Sequence, residues 1–111
     1  MNIKAIAGKI GLDWEEALEY YGGDINMLKE KLSSFEKETA FDELKKAMEE
    51  KDSEMVAKGA HRIKKASEKV GLKNLAKIAG ELENSKGLKE TPLFLELEKE
   101  YQSVISALKE C

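Results

Sequence analysis

The sequence predicts an all-α protein, an antiparallel up-down-up-down four-helix bundle preceded by short N-terminal helices. Three observations carry that expectation. Apolar residues recur at three-four spacing over long segments, capping residues and glycines punctuate those segments, and no stretch alternates apolar and polar residues as a half-buried strand would. With 111 residues the chain has room for one domain over 1–111, a bundle core over about 24–110 and short helical segments over 2–21.

Ile3, Ile6 and Ile10 suit a short helix at the start. Asp13, followed by Trp14, Glu15 and Glu16, is an N-cap with acidic residues in the first turn, where the helix dipole favours them. Gly22-Gly23 stops that helix and Asp24 caps the next, whose apolar positions are Ile25, Leu28, Leu32 and Phe35. The pattern slips and resumes at Phe41, Leu44 and Met48, so one long helix over roughly 25–50 is expected, bent or broken near Glu38 to Ala40. Asp52 or Ser53 opens the following segment and Gly71 closes it. Leu72, Leu75, Ile78, Ala79 and Leu82 mark the next helix, which ends before a loop over 84–90. Thr91 as cap and Pro92 in the first turn open a last helix striped by Phe94, Leu97, Tyr101, Val104 and Leu108.

Composition narrows the function. Nineteen Lys and Arg against 22 Asp and Glu leave a formal charge of −3, so there is no overall field to gather nucleic acid, and a cationic site has to be local. Charged residues make up 37% and hydrophobic ones 41%, as in a soluble helical protein. The start, MNIKAIAGKI, lacks the continuous apolar run of a signal peptide or membrane anchor, so no membrane partner is expected and the cytoplasm is the expected compartment. Cys111, the single cysteine and the last residue, excludes an internal disulfide and reads as an exposed thiol. Every apolar stripe is used by the bundle, so a monomer is expected.

Chemistry concentrates on AHRIKKASEKVG, residues 60–71, which holds the single histidine. At about 100° per residue, Val56, Ala60, Ile63, Ser67 and Val70 cluster on one side, and His61 falls about 160° from Ile63. The ring is therefore expected at the surface. Its neighbours one turn away are Ala57, Lys58, Lys64 and Lys65, with Arg62 alongside and Ala57 leaving open space. A neutral imidazole beside ammonium groups suits nucleophilic attack on a phosphoryl group. The residues alone leave a second reading open, a solvated histidine on a charged helix face. One His and a terminal Cys leave no convincing zinc site, and Gly22-Gly23-Asp24 reads as a helix-helix turn rather than a phosphate-binding loop.

The stretches GLDWEEALEYYGGDINMLKEKLSSF and AHRIKKASEKVGLKNLAKIAGELE together resemble the histidine-containing phosphotransfer (HPt) domains of bacterial phosphorelays. In the second stretch Ala60, His61, Lys64, Ala66, Ser67 and Gly71 match the family's signature, and Leu75, Ala79, Leu82 and Glu83 match its next helix. Lys65 departs, standing where the family usually has glycine; it could narrow access to the imidazole, select an acidic partner or add a contact to the phosphoryl group. The resemblance implies that His61 is the phosphoacceptor and Lys64 steadies the phosphoryl charge. It implies a carrier rather than an enzyme, with no cofactor of its own, magnesium being held by the partner receiver domain. Response-regulator receivers are the implied partners, a hybrid sensor histidine kinase another. The docking face expected around His61 comprises Ala57, Lys58, Lys65 and Glu68, with Lys64. An HPt-like interaction module that binds a receiver or other protein without accepting phosphate is the alternative.

Overall fold

Helix caps and glycine stops divide the chain where the sequence places them. A computed structural model describes residues 8, 12–36, 39–87 and 89–110. Among these residues the elements are helices: α1 (Trp14–Tyr20), α2 (Ile25–Glu36), α3 (Ala40–Glu49), α4 (Ser53–Lys69), α5 (Lys73–Glu83) and α6 (Glu90–Glu110). None is long and apolar enough to cross a membrane. The helix expected around Ile3, Ile6 and Ile10 lies outside the described residues, as does Cys111.

Asp13 accepts from the Glu16 amide, Asp24 from the amides of Asn26 and Met27, and Asp52 from that of Met55, so each acidic cap satisfies donors that the first helical turn leaves open. The glycine stops work from the other end. Gly71 takes φ +75 after α4, the Leu72 amide reaches back to the Ser67 carbonyl at 2.9 Å, and the Gly71 amide bonds Glu68 at 3.3 Å. Gly22 and Gly23 close α1 with the same pair of bonds. A third such stop ends α3 with Lys51 at φ 55, a position without a glycine and therefore without a sequence signal.

The long helix expected over 25–50 is broken where its pattern slips, α2 ending at Glu36 and α3 beginning at Ala40. One boundary differs. The last helix begins at Glu90 rather than after Thr91, with Leu93 bonding back to the Lys89 carbonyl. Pro92 then lies within the first turn, where its missing N–H leaves no bond unmade.

Buried residues from Leu12 to Leu108 join in one core. α4 lies between α3 and α5, α5 also packs on α6, and α6 returns to α2. Gly59 brings α4 close to α3: a methyl at its Cα would stand 3.2 Å from Leu44 Cβ and 3.3 Å from Leu44 Cα. Aromatic rings fasten α6 to the first helices, Phe41 stacking on Tyr101 at 4.3 Å and on Phe94 at 5.8 Å, with Phe35 at 6.0 Å from Tyr101. Ser67, the polar residue of the α4 stripe, is buried and donates to the Ile63 carbonyl at 2.7 Å, which meets its need for a partner.

The segment before α2 is tied to the α4–α5 turn. Leu12 is buried, the Asp13 amide donates to the Gly71 carbonyl at 3.2 Å, and the Tyr21 hydroxyl donates to the Lys69 carbonyl at 2.7 Å. Lys73 reaches Glu16 at 2.6 Å and Asp13 at 3.5 Å. These contacts hold Asp13 below the usual carboxylate range, chiefly through its bond from the Glu16 backbone amide, and raise Lys73, chiefly through Glu16.

Candidate functional site

The α4 residues that pack inward, Val56, Gly59, Ala60, Ile63 and Ser67, turn His61 to the surface, and its side chain is 48% exposed. The helical geometry of the sequence thus identified the correct face. Ala57 is half-buried and small, and a hollow lined by Ala57, Lys58, His61, Arg62 and Glu83 opens beside the ring.

The ring is held from the next helix. Glu83, in the last turn of α5, places Oε2 at 2.8 Å from His61 Nδ1. A carboxylate has no proton to give, so a neutral imidazole in this contact carries its proton on Nδ1 and its lone pair on Nε2. The other oxygen of the same carboxylate lies 3.9 Å from Lys64 Nζ. Lys64 reaches it along Gly80, where an added methyl would sit 3.6 Å from Lys64 Cδ. His61 and Lys64, three residues apart on α4, therefore converge on one acid supplied by α5. Glu83 belongs to the stretch that matches the family's next helix, and the sequence by itself assigns it no role.

The remaining candidates divide between the two flanks of the ring. Lys58 is exposed, lies 3.6 Å from Glu54 and borders the Ala57 hollow. Lys65 is exposed on the other flank, along a groove shared with His61, Lys31 and Lys69. Arg62, between the two flanks, pairs with Glu43 of α3. Glu68 is exposed two turns beyond His61, but the depressions it borders are shared with Glu16 and Gly71. It thus lies at the margin of this face rather than beside the ring.

Neither the curated proteins nor the solved structures gave a match. The family model of the Hpt domain matches residues 28–110, from the first turn of α2 to the end of α6, and so takes in His61, Lys64 and Glu83 alike. With most of its length covered by that model, the chain belongs to the Hpt domain family.

Proposed function

We propose that the chain is a phosphocarrier of a two-component phosphorelay, taking a phosphoryl group from an aspartate of one receiver domain and passing it to another through phosphohistidine at His61. The observation that carries this reading is the exposed imidazole held at Nδ1 by Glu83, which keeps the Nε2 lone pair for attack. In the transfer, Nε2 forms a bond to phosphorus while the bond from phosphorus to the aspartate oxygen breaks, its electron pair leaving with the carboxylate. The Nδ1 proton stays on the ring facing Glu83, whose charge stabilises the imidazolium-like phosphohistidine. Lys64, already drawn to this site, offsets the phosphoryl charge. The second transfer is the same exchange in reverse on a new aspartate.

The chain would supply the nucleophile and the docking face, and the receiver would supply the magnesium that polarises the phosphoryl group. We further infer an up-down-up-down bundle in which α2 with α3 forms the first strut and α4, α5 and α6 the others. The successive packing of α3, α4, α5 and α6, closed by α6 on α2, supports it. A single cytoplasmic module acting as a monomer fits this role.

A second reading, a receiver-binding module that accepts no phosphate, is favoured by Lys65, a long exposed side chain one turn from His61. Incubation with phosphorylated receiver domains separates the two. The carrier reading expects acid-labile, alkali-stable label on the wild type and none on His61→Gln at unchanged helical circular dichroism. Binding without label on the wild type supports the second reading.

A further inference from the structure

The two flanks of His61 differ in charge. The Ala57 hollow is lined by one carboxylate, that of Glu83, together with Lys58 and Arg62. The groove on the opposite flank runs between α2 and α4, from His61 to Tyr21, and among the described residues no Asp or Glu lines it. Lys31, Arg62, Lys65 and Lys69 form its edges, and the buried Phe35 and Val70 lie beneath them. Arg62 already pairs with Glu43, whereas Lys31, Lys65 and Lys69 form no ion pair among the described residues. In a chain of net charge −3, this is a local positive surface over an apolar floor.

We propose that the α2–α4 groove seats an acidic, amphipathic segment of the receiver partner, with Lys65 as the contact that selects it. The proposal rests on the phosphocarrier reading. Its occupant is chosen by complementarity: carboxylates answer the three lysines, and apolar side chains cover the half-buried Tyr21 and Ala66, which a small anion would leave wet. Lys65 lies one helical turn from His61, so a carboxylate held there sits beside the reacting pair without crossing it. The residue that replaces the family glycine thus acts as a selective contact. Glu83 occupies the opposite flank, whereas in the groove an acidic partner meets no like charge among the described residues.

The test measures phosphoryl uptake from a panel of purified receiver domains of the same genome, phosphorylated with acetyl phosphate. The wild type is compared with Lys65→Glu and with the double variant Lys31→Glu/Lys69→Glu at about 50 and about 300 mM salt. Phosphoramidate, a small donor that needs no docking and releases ammonia as Nε2 takes its phosphoryl group, reports whether His61 itself is intact. The double variant is expected to lose about tenfold or more in rate with its best receiver at low salt, to lose less at high salt, and to stay within about twofold with phosphoramidate. Lys65→Glu should change the order of preference among receivers. Unchanged receiver rates in the double variant overturn the groove while leaving the carrier reading standing. A wild type that phosphoramidate labels but no receiver does overturns the carrier reading and the groove with it.

Discussion

Glu83 bridges the two candidate site residues of α4: Oε2 lies 2.8 Å from His61 Nδ1 and Oε1 lies 3.9 Å from Lys64 Nζ. Removing the acid separates its effects. Glu83→Gln keeps an oxygen for the Nδ1 proton and loses the charge, whereas Glu83→Ala loses both. Phosphoryl uptake is expected to fall about tenfold in the alanine variant and less in the glutamine variant. Nitrogen chemical shifts of the imidazole should report the Nδ1–H tautomer in the wild type and in Glu83→Gln, and a mixture in Glu83→Ala. Equal uptake by all three proteins would remove Glu83 from the mechanism.

Lys65→Gly restores the residue that the family usually carries. If Lys65 selects the partner, the glycine variant should transfer more slowly with the best receiver and more evenly across a panel. A faster rate with every receiver would instead make Lys65 a steric obstacle.

Stability should respond at the two glycines that set helix spacing. Gly71 combines φ +75 with a space in which a methyl would meet Ala17 Cβ at 2.9 Å. Gly71→Ala is expected to cost about 2 kcal/mol through backbone strain and overlap. Gly59→Ala gains helix propensity but pushes α4 against the Leu44 backbone, for a smaller net loss of about 1 kcal/mol. Denaturant midpoints at constant slope measure both, and a stabilised Gly71→Ala would contradict the described turn.

The Asp13–Lys73 contact gives a pH dependence of fixed sign. Asp13 is held below its ordinary value of 3.8, so its contribution is complete above that value and fades as the pH falls through the lowered one. Lys73 is raised above 10.5, so its contribution is complete below that value and fades as the pH rises through the raised one. The stability difference between wild type and Lys73→Met should therefore be level across neutral pH and shrink toward both extremes. Both groups are exposed, so the difference is small. A difference that grows on acidification would reverse the sign.

The sequence carried most of the fold because its signals are local. Asp13, Asp24, Asp52, Gly22 and Gly71 act on their own helix ends, and the α4 stripe is set by three-four spacing alone. The end of α3 near residue 50 was legible from its pattern, but the left-handed turn at Lys51 was not, because a lysine at positive φ has no compositional mark; the start at Glu90 was hidden because Thr91 and Pro92 imitate a cap. The exposure of His61 was legible for the same local reason. Its contact with Glu83 was not, since that depends on how α5 lies against α4; the match of Glu83 to the family's next helix and Gly80, small where Lys64 crosses, point to no such contact by themselves. The difference between the flanks of the ring was hidden likewise, because Lys31 comes from α2 and Glu83 from α5.

The most direct test is to locate the phosphoryl group on protein labelled by a phosphorylated receiver, using phosphopeptide mapping with phosphorus-31 and nitrogen-15 spectra of the intact chain. The account predicts one phosphohistidine, at His61, bonded through Nε2, with Nδ1 still protonated. Phosphate on Nδ1 of that ring, or label that persists in His61→Gln, would contradict it.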